Sequence, residues 1–195
     1  MILNLEITNL LQSRLLPFAA QDSISHRAVG DMIEYFSTEI ISDHFKNGCV
    51  KSKSKKSIDD FSICVDEEKH LYDIKSHYIN ETGFSMPNLV SVKRLMNLLQ
   101  KDNITLNYIF VDYKRQDGAI TIAEIKIIPI WELDWSCLHI GALGYGQIQI
   151  LNKNNPIITT KIGKNEWKNI LKTKVINFYT KQIVKYEKQM KIWSC

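Results

Sequence analysis

The chain has 195 residues, 45% of them hydrophobic and 24% charged, and a formal net charge of +4. That balance fits one domain spanning 1–195 with a sizeable core, and it excludes disordered, fibrous and low-complexity classes. No apolar run approaches the roughly 18 residues of a spanning helix, so no membrane partner is expected. Cys49, Cys64, Cys137 and Cys195 are scattered without a Cys-x-x-Cys pair, and the five histidines form no ligand motif. A structural zinc is therefore not expected, and a reducing cytoplasm is the expected home.

In chain order, the apolar stretch from Met1 to Ala20 is broken by Glu6, Asn9, Gln12 and Arg14 and lacks a basic start. It reads as an amphipathic helix, not a signal peptide. Ile24, Val29, Met32, Ile33, Phe36 and Ile40 recur at helical spacing, which predicts a helix from Ser23 to Ile41 capped by Asp22 or Ser23. Glu34 borders its apolar stripe, with Glu39 a turn further on. Two short apolar runs, Phe61 to Val65 and Leu71 to Ile74, flank a charged turn at Asp66-Glu67-Glu68-Lys69, the pattern of a β-hairpin. Beyond it, Ser85-Met-Pro-Asn88 leads into a predicted helix in which Pro87 fits the first turn and Asn88 or Ser85 can cap. Leu89, Val92, Leu95, Met96 and Leu99 form its buried stripe.

Asn107 to Tyr113 alternates as a strand, and the Asp117-Gly118 turn joins it to a second strand from Ile120 to Ile127. Trp131, Leu133 and Trp135 mark a packed bend. Gly141, Gly144 and Gly146 then fall within six residues, followed by Gln147 and Gln149. No Gly-Lys-Ser/Thr follows, which excludes a P-loop, and no helix follows directly, which excludes the dinucleotide fingerprint. The plain alternative is a glycine-rich turn joining two strands. A long helix from Asn165 to about Ile192 closes the chain, anchored by Trp167, Ile170, Leu171, Val175, Phe178, Ile183 and Tyr186. The coarse order is α-α-β-β-α-β-β-α.

The chemistry concentrates in the first hairpin. Strand side chains alternate faces, so Asp60, Ser62 and Cys64 point one way and Phe61, Ile63 and Val65 the other. Leu71, Asp73, Lys75 and His77 share a face of the second strand. Pairing the strands brings two carboxylates and one ammonium together. Two acids can hold a divalent cation, and a lysine beside them can orient a water that attacks phosphorus.

An acid, about a dozen residues, then Asp/Glu-x-Lys resembles the PD-(D/E)XK nuclease superfamily. Asp60-Phe61 followed by Tyr72-Asp-Ile-Lys-Ser76 looks like its type II restriction endonucleases, in the branch that approaches DNA from the minor groove and often cuts bluntly. The Met86-Pro-Asn-Leu89 and Gly144-x-Gly-Gln-Ile-Gln149 segments resemble elements of the same enzymes. The resemblance implies an α/β (α+β) restriction-endonuclease-like core, a central mixed β-sheet flanked by helices. It implies Mg2+, with Mn2+ as a substitute, on Asp60, Asp73, the Ile74 carbonyl and Glu34, and Lys75 beside the attacking water. Asp59 stands where proline usually precedes the first acid, so Asp59 and Asp60 are alternatives. Asp60 is favoured because Asp59 falls on the face of Phe61, Ile63 and Val65.

Expected DNA contacts are Tyr145, Gln147, Gln149, Asn152 and Asn88, since amides can bond adenine edges and tyrosine can stack or reach phosphate. Lys53 and Lys55 join Lys46, Lys51 and Lys56 near the proposed site, and nine lysines against two glutamates follow from Lys161 onward. Such patches attract a polyanion. Four arginines argue against a guanine-rich target. The expected activity is Mg2+-dependent hydrolysis of double-stranded DNA at a short palindrome, leaving 5′-phosphates, and a homodimer is expected because a palindrome presents two equivalent bonds. The alternatives are a structure-directed repair or junction nuclease and a non-catalytic DNA-binding module.

Overall fold

A computed structural model describes residues 2–19, 24–54, 57–79, 88–151 and 158–193. The elements run α1 (Ile2–Arg14), β1 (Phe18–Ala19), α2 (His26–Phe45), β2 (Cys49–Lys51), β3 (Phe61–Val65), β4 (Glu68–Tyr78), β5 (Asn88–Ser91), α3 (Val92–Leu98), β6 (Ile104–Gln116), β7 (Ala119–Pro129), β8 (Leu138–Gly141), β9 (Gln147–Ile150) and α4 (Lys164–Trp193), with short 3-10 turns after α2 and β7.

Two hairpins build the centre. Asp66 and Glu67, both at positive φ, close β3 onto β4 in a two-residue turn, so Glu68 and Lys69 are strand residues and not loop. Asp117 and Gly118, again both at positive φ, close β6 onto β7. Positive φ at both central positions matches the twist of the flanking strands. The hairpins join through β4 and β6, which run parallel from Lys69↔Ile104 to Tyr78↔Tyr113. The result is a six-stranded mixed sheet, ordered β1-β7-β6-β4-β3-β2, with helices against it.

The sheet is buried on both faces. Ile7, Leu11, Val29 and Ile33 of α1 and α2 cover Phe61, Tyr72, Ile74, Ile109 and Val111 on one side. On the other, Leu71, Leu106, Tyr108 and Phe110 meet α3, the start of α4 and a second sheet ordered β5-β9-β8. Trp167 locks α4 down, donating its indole N–H to the Leu133 carbonyl at 2.8 Å and stacking on Trp135. No described helix is long and apolar enough to cross a membrane.

Three local expectations are corrected. The second helix starts at His26, where the Ser25 hydroxyl accepts the Ala28 amide proton at 3.2 Å, and it runs on to Phe45; Asp22 and Ser23 lie outside the described residues. Asn88–Ser91 is a strand, and α3 begins only at Val92. Backbone pairing to β9 outweighs a local pattern that fits either state, while Ser85 and Pro87 lie outside the described residues. Only Trp167 and Leu171 of α4 are fully buried, whereas Ile183 and Tyr186 are exposed, because the helix runs beyond the body it anchors on.

Candidate active site

Strand β3 is shorter than β4, and this mismatch creates the site. The ladder between them ends at Phe61↔Tyr72, which leaves the Ile74 amide without a strand partner on that side. Asp60 fills the gap with its side chain, its Oδ2 accepting the Ile74 N–H at 2.6 Å while its own amide donates to the Tyr72 carbonyl at 2.8 Å. A residue that would otherwise begin a strand thus holds a carboxylate over the broken edge of the sheet. Asp59 is turned elsewhere: it accepts the Ser57 hydroxyl at 2.6 Å and is only half-buried. It precedes the strand, so face alternation does not carry it inward with Phe61.

Asp73 follows from the middle of β4, 8% exposed, with Tyr108 as its neighbour across the parallel pair. Lys75, two residues on and on the same face, brings its ammonium to 2.7 Å from both Asp73 oxygens. Asp60, Asp73 and Lys75 line one cleft of about 450 Å³ together with Glu34, Ser57, Ser91, Arg94 and Gln147. Glu34 reaches it from α2 because Gly30, one turn earlier, lets that helix sit close over Ser76 of β4. Glu39 points away and pairs with Lys51.

Electrostatics set this cluster apart. Burial pushes the Asp73 carboxyl up to about 7; the Lys75 ammonium pulls it down, and repulsion from Asp60 and Glu34 adds to the rise. Asp60 is raised as well, because burial outweighs the Ile74 hydrogen bond and the Lys75 charge. Buried acids that repel one another are satisfied by a proton or by a cation. The donor set therefore fits a hard divalent cation with oxygen ligands. Among the described residues no three His, Cys, Asp or Glu side chains form a ready-made cation cluster, so a cation there would rely on two carboxylates, a carbonyl and water.

The expected DNA-contact residues divide. Gln147 lines the cleft. Gln149 donates its side-chain amide to the Asn88 side-chain carbonyl, across the β5–β9 pair. Gly141 on β8 pairs with Gln147, and a methyl there would collide with the Gln149 amide. The glycines are the turn between β8 and β9, with Gly144 and Gly146 at positive φ. Tyr145 at its tip is exposed, and its carbonyl accepts the Tyr179 hydroxyl at 2.7 Å. Lys53 is exposed beyond β2, and Lys55 and Asn152 lie outside the described residues.

Two neighbours of the acids carried no signal in the sequence. Arg94 on α3 lines the cleft and touches the Ser57 carbonyl at 3.5 Å; its guanidinium adds positive charge beside the carboxylates. Tyr108 is fully buried, and its hydroxyl has no hydrogen-bond partner among the described residues. Burial and the Asp73 charge both raise that phenol far above its ordinary range.

No family model and no curated protein matches the chain. Among solved structures it is similar to the NlaIV restriction endonuclease, with a TM-score of 0.53 at 14% identity, over 83% of this chain and 71% of that one. At that identity the likeness shows the fold, a restriction-endonuclease-like core.

Proposed function

We propose that the chain is a type II restriction endonuclease of the PD-(D/E)XK superfamily, hydrolysing double-stranded DNA at a short palindrome. The observation that carries this reading is the meeting of Asp60, Asp73, Lys75 and Glu34 in one cleft of a restriction-endonuclease-like fold. Asp60 and Asp73 would hold Mg2+, or Mn2+ in its place, with the Ile74 carbonyl and water completing the set and Glu34 assisting through a coordinated water. A cation bound there supplies charge to offset the developing phosphorane and acidifies a coordinated water.

The rest falls to side chains. Lys75 orients the attacking water and stabilises it as hydroxide. The Ile74 amide holds Asp60 just before β3, and Arg94 draws the phosphate toward the cleft. As the water oxygen bonds to phosphorus in line, the P–O3′ bond breaks and the 3′ oxygen takes a proton from solvent, leaving a 5′-phosphate and a 3′-hydroxyl. Gln147, Gln149 and Asn88, on one face of the small sheet beside the cleft, read base edges, with approach from the minor groove as the resemblance implies. Two copies acting across a palindrome cut both strands.

A second reading, a non-catalytic DNA-binding module, draws on the direct Lys75–Asp73 pair, which neutralises the acid without a cation. Digestion of long duplex DNA with Mg2+, followed by sequencing of fragment ends, separates the readings. Discrete fragments sharing one palindrome are expected. Random nicking would shift the reading to a structure-directed or repair nuclease. DNA binding with no cleavage in Mg2+ or Mn2+, and no cation binding that Asp73→Asn removes, would leave the non-catalytic module.

A further inference from the structure

Helix α4 is about 45 Å long, and among the described residues its core packing lies in its first half. Val175 joins the core and Phe178 lies beside Gly146. From Ile176 on, the helix carries a stripe of large apolar side chains at the surface: Ile176 63% exposed, Tyr179 37% with its hydroxyl held by the Tyr145 carbonyl, Ile183 57%, Tyr186 56%, Met190 56% and Trp193 78%. Their spacing is three, four, three, four, three. That is an unbroken 3.5-residue repeat, with Ile176, Ile183 and Met190 at a and Tyr179, Tyr186 and Trp193 at d. Val184 and Ile192 are exposed off the stripe. A repeat of 3.5 keeps a seam facing another helix that coils with it; a lone surface helix follows 3.6.

Charge agrees with a second copy as occupant. Lys181, Lys185, Lys188 and Lys191 fall at b, c and f, the outward positions. The positions flanking the seam, e and g, hold Thr180, Gln182, Glu187 and Gln189, with no lysine. Two such helices can meet without setting their ammonium groups against each other. The area suffices too. At these exposures and roughly 200 Å² per large side chain, the stripe offers on the order of 700 Å² per copy, about 1,400 Å² for a pair, within the range of stable interfaces.

We propose that the Ile176–Trp193 stripe pairs with the same stripe of a second chain as an antiparallel two-helix coil. The antiparallel register matches sizes layer by layer: Ile176 meets Trp193, Tyr179 meets Met190, and Ile183 meets Tyr186. Each layer then holds one aliphatic and one aromatic side chain, whereas a parallel pair stacks Tyr on Tyr and Trp on Trp at every d layer. An antiparallel pair has two-fold symmetry. It therefore supplies the dimer that the nuclease reading calls for, and it rests on that reading only for its purpose.

The test is the mass of the intact protein without DNA, so its failure is separable from failure of the nuclease reading. Sedimentation equilibrium at micromolar concentration is expected to give the mass of two chains. The double variant Ile183→Lys, Tyr186→Lys is expected to halve it with an unchanged circular dichroism spectrum, since both positions are exposed in one chain. Lys188→Glu, on the outer face, is expected to stay paired. For the register, Ile183→Cys chains mixed with Tyr186→Cys chains should form a disulfide that Ile183→Cys chains alone do not. A wild-type protein of single-chain mass would overturn the proposal, including one that binds phosphatidylglycerol vesicles instead. So would a double variant that remains paired; self-cross-linking of Ile183→Cys alone would overturn the register.

Discussion

The Ile74 amide shows how much one donor can do. It fixes Asp60 just ahead of the strand, and burial beside Asp73 then raises both acids. An acid raised in the folded chain keeps its proton longer folded than unfolded. Its contribution to stability is therefore full below about pH 4 and is lost as pH rises toward about 7. Without metal, melting temperatures should fall across that window, and Asp73→Asn should flatten the fall; an equal slope in both proteins would remove Asp73 as its source. Asp60→Ala, Asp73→Ala and Lys75→Ala should each lower DNA cleavage by about 10²-fold or more with little change in folding. Cleavage at the normal rate by Lys75→Ala would show the assignment to be wrong. Tyr108 makes a different point: its orphaned hydroxyl is a desolvated group with no compensating bond. Tyr108→Phe should stabilise the protein by about 1 kcal/mol in urea unfolding, within the range for a buried unsatisfied group.

At the scale of elements, the second sheet depends on glycines doing different jobs. Gly146 sits at φ +100°, and a methyl there would come within 3.3 Å of Phe178, Ile140 and Val92. Gly146→Ala should cost about 1 kcal/mol or more in melting experiments. Gly141→Ala faces only the movable end of Gln149. It should leave stability nearly unchanged while weakening specific DNA binding, measured by titration of duplex, because Gln149 must vacate its place. Elements set by local chemistry were legible in the sequence. Both hairpins, α2 and the alternating strands follow from turn residues and periodicity, and Asp60, Asp73 and Lys75 follow from their spacing. What depends on distant partners was not. β5 exists because β9 is there to pair with it, Arg94 reaches the cleft only because α3 starts at Val92, and the outer half of α4 looks like core until its neighbours are known.

For the whole molecule, charge and connectivity matter more than any contact. A net charge of +4 with lysines along the outer face of α4 predicts DNA binding that weakens steeply with salt. Replacing Lys181, Lys185 and Lys188 by Glu should flatten the slope of log K against log salt if that face meets DNA. The parallel join between β4 and β6 has another kind of outcome. Each flanking hairpin can zip from its own turn within microseconds, but a parallel pair has no turn to zip from and must wait for the connection from Ile79 to Asn103 to close. Asp60 and Asp73 thus come together early, in a hairpin still open to water. Burial against Tyr108 comes only with the late joining step. Folding near neutral pH should therefore end with the uptake of a proton, and a half-folded chain emerging from synthesis would carry its acid pair without the dry pocket around it.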